Sequence, residues 1–154
     1  MEHGTIEREL HIDASPEVVF DVISSPEHIR DWWNAETELE PTAGSTGELT
    51  WRDEAGERTN VVPITVIDAE PPHRFSFRWT QDPGQPPTAS NSLLVTFELA
   101  PVGAGTVLRL TETGFRERGW EIAKLEEVYQ EHVRGWDFYL PRIAERAARE
   151  VPAP

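Results

Sequence analysis

Residues 5–13 alternate: Ile6, Leu10 and Ile12 fall on one side, and Glu7, Glu9, His11 and Asp13 on the other. That is the period-two signature of a half-buried strand, and Arg8 is the one charged residue on its apolar side. Ser15, Pro16 and Glu17 then supply an N-cap hydroxyl, a proline suited to the first helical position and an early acid, ahead of an apolar stripe of Val18, Val19, Val22 and Ile23. This predicts a short helix. Ser25, Pro26 and Glu27 repeat the same start signal and predict a second short helix through Trp33.

From Glu36 to Thr113 turn signals recur at short intervals, and the segments between them alternate or are rich in β-branched and aromatic residues, as in antiparallel sheet. A hairpin turn is expected at residues 53–56, with a return strand over residues 57–70. Within it Pro63 has no N–H to give a ladder and so belongs at an edge or a bulge. Pro71 and Pro72 end that strand. Phe75, Phe77 and Trp79 share one face of the next strand, Val95, Phe97 and Leu99 one face of another, and Leu108 and Leu110 one face of a third beyond the turn at residues 101–105. Residues 80–92, rich in proline, form the longest loop. After Gly119 the apolar positions Ile122, Leu125, Val128, Tyr129, Val133, Trp136, Leu140, Ile143 and Ala147 recur at helical spacing. One long amphipathic helix is expected, kinked near Trp136 and Asp137 by Pro141. Strand, two short helices, a run of antiparallel strands and a long helix make an α+β class with about seven strands.

Composition narrows the chemistry. At 154 residues the chain is expected to form one domain, 1–154, with a core over about residues 6–147. A net charge of -14 sets it against phosphate backbones and anionic lipid, so neither nucleic acid nor membrane is an expected partner. Cysteine is absent, which removes disulfides, thiolate nucleophiles and cysteine-ligated metals. The first residues carry neither the basic nor the apolar part of a signal peptide, and the expected location is cytoplasmic. Lys124 is the only lysine and sits among Glu121, Glu126 and Glu127, a solvated setting. No histidine pair has helical metal-site spacing and no glycine-rich phosphate loop is present, so no metal and no cofactor are expected.

Several residues carry a family resemblance. They are Ile12-Asp13-Ala14-Ser15-Pro16-Glu17-Val18-Val19-Phe20, Trp32-Trp33, Pro71-Pro72-His73-Arg74-Phe75 with Trp79, Gly105-Thr106, Thr113-Gly114-Phe115 and Gly135-Trp136. In this order they resemble the START-like (Bet v 1-like) helix-grip superfamily, SRPBCC. Within it they are most similar to the branch named for the activator of the heat-shock-protein-90 ATPase. The resemblance implies a curved antiparallel sheet around a long C-terminal helix, with a ligand-sized cavity between them. It also implies three roles to compare: a binder of a small apolar or aromatic molecule, a cofactor-free enzyme of the polyketide cyclase/aromatase type, and a co-chaperone. The eukaryotic co-chaperone depends on a further domain for which this chain has no room.

The inward-facing candidates under this fold are Trp51, Phe75, Phe77, Trp79, Val95, Phe97, Leu108 and Leu110 from the sheet, Trp33 from the short helices, and Trp136, Tyr139 and Leu140 from the long helix. Either these rings fill the core or they leave room for a ligand. Glu112 continues the parity of Leu108 and Leu110, which places a carboxylate at the end of the apolar wall; it is either a functional acid or base or a rim charge paired with Arg8. His132, one turn before Trp136, is the candidate proton carrier or, equally, a hydrogen-bonded core residue. Because the sequence holds no ligand cluster and no cysteine, the thermal midpoint is expected to be the same with and without a chelator. A drop of several degrees in a scanning calorimeter would reveal a metal site.

Overall fold

The computed structural model describes residues 4–33, 35–52, 55, 58–80, 87–88 and 91–150. The turn expected at residues 53–56 and most of the loop expected at 80–92 fall outside them. The chain runs β1 (Thr5–Ile12), α1 (Pro16–Ser24), α2 (Pro26–Trp32), β2 (Glu36–Glu38), β3 (Thr46–Arg52), β4 (Arg58–Glu70), β5 (Arg74–Trp79), β6 (Leu93–Val102), β7 (Gly105–Thr113), a 3-10 turn at Arg116–Arg118 and α3 (Ile122–Arg149). The seven strands form one antiparallel sheet in the order β1-β7-β6-β5-β4-β3-β2. It curves around α3 in a helix-grip arrangement.

Local chemistry accounts for the elements. The Ser15 side chain accepts a hydrogen bond from the Val18 amide at 3.3 Å, and Pro16 opens α1, which buries Val19, Phe20, Val22 and Ile23. Pro63 sits opposite Glu48 of β3 but is not on an outer strand. Its carbonyl accepts from the Thr80 amide just past the end of β5. In an antiparallel strand a residue's N and O face the same neighbour, so the prolyl nitrogen looks toward β5 where that strand has stopped, and no ladder donor is lost. A bulge between Val66 and Asp68 shifts the β4–β5 register and turns Ile67 outward.

The core lies between the concave sheet face and the helices. Phe75 pairs with Phe97, Phe77 with Val95, Phe97 with Leu110 and Leu99 with Leu108 across adjacent strands, and each of these residues is buried. From α3 the buried positions His132, Trp136, Leu140, Ile143 and Ala147 supply the facing stripe. The helix continues through Pro141 as a single element. Its far end is tied to the short helices: Arg142 Nε donates to the Trp32 carbonyl at 2.8 Å, and Arg146 Nε donates to His28 Nδ1 at 2.9 Å. His28 Nε2 in turn lies 3.0 Å from Asp21 Oδ2. Phe97 is fully buried at the centre of the sheet and meets the Trp136 ring edge-on, with centroids 6.0 Å apart. Phe97→Ala should therefore lower the unfolding free energy by about 3–5 kcal/mol, read from the denaturant midpoint; a midpoint close to wild type would place Phe97 outside the core.

Candidate functional site

Where β5, β7 and α3 meet, the Glu112 side chain is 0% exposed. A carboxylate taken out of water is strongly unfavourable unless it is paired and hydrogen-bonded, and here the donors converge. Trp79 Nε1–H donates to Oε2 at 2.8 Å and Trp136 Nε1–H to Oε1 at 2.8 Å. His132 Nδ1 sits 2.9 Å from both oxygens. A carboxylate is acceptor-only and an indole donor-only, so both indoles are fixed by the oxygens they serve. The imidazole bridges the carboxylate through Nδ1–H. Its ring is flanked by Trp79 at 5.3 Å and Phe115 at 5.5 Å between centroids.

Parity along β7 places Glu112 inward, as its spacing from Leu108 and Leu110 implies, but Arg8 is not its partner. Arg8 stands opposite Leu110 in the β1–β7 register, whereas Ile6 stands opposite Glu112. Arg8 reaches up to α3 instead, with Nε on Asp137 Oδ1 at 2.7 Å and Nη2 near Oδ2 at 3.4 Å. This bidentate bond holds the guanidinium pKa above the ordinary arginine value. Glu112 is thus a buried anchor rather than a rim charge.

Beside this cluster is a cavity of about 220 Å³, lined by Trp33, Trp51, Val62, Trp79, Glu131, His132, Gly135, Trp136 and Tyr139. Trp33 is the hub of its aromatic wall: ring centroids of Trp79, Trp136, Trp51 and Tyr139 lie 5.1, 5.5, 5.9 and 6.4 Å from its own. Behind it Trp32 stacks at 4.9 Å with an interplanar angle of 13°. Trp51 Nε1 donates to the Trp33 carbonyl at 3.3 Å, so its ring is oriented too. Phe75, Phe77, Val95, Phe97, Leu108, Leu110 and Leu140 are buried in the core and do not line this space. The aromatic inventory therefore divides into packing in one part of the grip and a cavity wall in the other.

Three lining residues lie beyond the sequence-based candidates: Val62, Glu131 and Gly135. Gly135 stands at i+4 from Glu131 and i−4 from Tyr139, hence on their face of α3. A Cβ built on it meets nothing within 4 Å. A mid-helix glycine costs about 1 kcal/mol relative to alanine, and this one leaves the cavity open at the helix surface. Its position inside an otherwise strong amphipathic helix was the available signal. Among the described residues no group of three or more His, Cys, Asp or Glu side chains could hold a metal ion. No helix among them is long and apolar enough to cross a membrane.

A family model described as activator of Hsp90 ATPase homolog 1-like protein matches residues 13–148. The chain belongs to this family. Solved structures with the same fold include protein MLL2253 from Mesorhizobium loti, with a TM-score of 0.75 at 23% identity over 96% of this chain and 99% of that one. CalU16 from Micromonospora echinospora, solved by solution NMR, gives a TM-score of 0.68 at 21% identity, covering 97% of this chain and 69% of that one. DynU16, a protein of the dynemicin biosynthetic locus, gives 0.69 at 18% identity over 92% of this chain and 46% of that one. At these identities the likeness is one of fold. Among curated proteins none matches the chain. The helix-grip fold supports ligand binding, and the cavity beside Glu112 lies between the sheet and α3.

Trp136→Phe tests the anchor itself, since it keeps an aromatic ring but removes the donor to Oε1. Leaving a buried acceptor short of a partner should cost about 1–3 kcal/mol, measured by chemical denaturation; an unchanged midpoint would mean that the carboxylate does not depend on that indole.

Proposed function

We propose that the chain binds one small apolar or aromatic molecule, without a cofactor, in the cleft between the sheet and α3. The observation that carries this reading is the cavity of about 220 Å³ walled by four indoles and one phenol. Indole faces offer large apolar area at little conformational cost because their orientations are already set. Two of these rings are held by Glu112 and a third by the Trp33 carbonyl. An apolar ligand entering such a space gains roughly 25 cal/mol for each Å² it removes from water.

A second reading, a cofactor-free enzyme of the cyclase/aromatase type, is favoured by one specific observation. Glu112 holds His132 through Nδ1, and the imidazole lines the cavity. A carboxylate that fixes one ring nitrogen leaves the other to exchange a proton with a bound molecule. The co-chaperone role named in the family description draws on none of this geometry.

Toluene, which does not absorb at the long-wavelength edge where tryptophan alone is excited, is a suitable apolar probe. Binding should shift or quench tryptophan emission saturably, and Gly135→Leu, which places a side chain into the open space, should abolish the effect while leaving the protein folded. An emission spectrum that never saturates with toluene would defeat the binding reading.

A further inference from the structure

We propose that the cavity selects a neutral hydroxyaromatic of one or two rings, whose hydroxyl donates to Nε2 of His132. This rests on the binding reading above and adds ligand size, polarity and orientation to it.

Size comes first. A cavity of about 220 Å³ is larger than the ~150 Å³ apolar cavity known to accept benzene, yet smaller than the ~300–1,000 Å³ typical of drug-sized ligands. One ring or two fused rings fit that interval, and a four-ring system does not.

Polarity follows from His132, which is 9% exposed. Its Nδ1–H is committed to the two oxygens of Glu112, so in the neutral ring Nε2 carries the lone pair. Among the described residues nothing hydrogen-bonds Nε2. A buried acceptor without a partner is unfavourable, and a ligand hydroxyl would satisfy it. Trp79 and Trp136 present ring surface only, because their N–H groups are committed to Glu112. Among the described residues, the carboxylate in the lining is Glu131. With Glu112 behind the imidazole, Glu131 in the wall and a net charge of -14, an anionic ligand meets repulsion from near and far. A neutral donor is the species that fits.

Isothermal titration calorimetry with p-cresol, toluene and pyrene separates the parts of this argument. A cavity with no acceptor would prefer toluene, because the phenolic hydroxyl would lose its water without replacement. Here p-cresol should bind at least as tightly as toluene, and pyrene should not bind. His132→Phe keeps a ring but removes the acceptor, and should weaken p-cresol about tenfold more than it weakens toluene. Should that variant fail to fold, nitrogen NMR of the wild-type histidines reads the same contact: p-cresol should move the His132 Nε2 resonance and toluene should not. Toluene binding with weaker p-cresol binding, or an unmoved Nε2 signal, would overturn the hydroxyl assignment and leave the binding reading intact. Pyrene binding would overturn the size assignment. Absence of binding by toluene and p-cresol alike would overturn the binding reading and this inference with it.

Discussion

A single carboxylate with no access to water joins the two layers of this fold. Glu112 lies on β7, and its hydrogen bonds come from Trp79 on β5 and from His132 and Trp136 on α3. An ordinary apolar contact tolerates sliding of a few tenths of an ångström, because dispersion is non-directional. A buried carboxylate is less permissive, since each oxygen must keep its donor. The register of the long helix against the sheet is therefore specified by polar geometry set inside an aromatic core. The cavity wall inherits that specification, because two of the four indoles that form it are the carboxylate's own donors.

Much of this was legible in the sequence because β-strands alternate strictly. The spacing of Glu112 from Leu108 and Leu110 places it on the inner face, and helical spacing brings His132 and Trp136 to the matching side of α3. What parity cannot supply is reach. Arg8 and Glu112 lie on the same face of adjacent strands, yet the long guanidinium side chain extends to Asp137, while the short gap beside Glu112 is filled by indole and imidazole. Pairing depends on which donors arrive in three dimensions, and donors from β5 and α3 lie far off in sequence. Pro63 shows the same limit: its tolerance of an inner strand depends on where β5 ends, which its own neighbours do not reveal.

The division of the aromatic residues into core and cavity wall was equally hidden. Phe77 and Trp79 occupy one strand face two residues apart, yet Trp79 borders open space and Phe77 is enclosed. The difference lies in what covers each ring: Trp79 shares the cavity lining with Gly135 of α3, whereas Phe77 is packed among Phe75, Trp79 and Trp33. Hydrophobic periodicity finds faces that avoid water, but an open cavity arises where side chains are missing. A missing side chain leaves no hydrophobic signal.

The indole protons of Trp79 and Trp136 also have a dynamic meaning. Each points at a carboxylate oxygen that solvent does not reach, so neither can exchange with deuterium until the helix lifts from the sheet or the chain unfolds. Slow exchange at these two nitrogens, beside faster exchange at the half-buried Trp51, would time the breathing of the grip. The same protons that anchor the cavity thereby act as a clock for how often it opens.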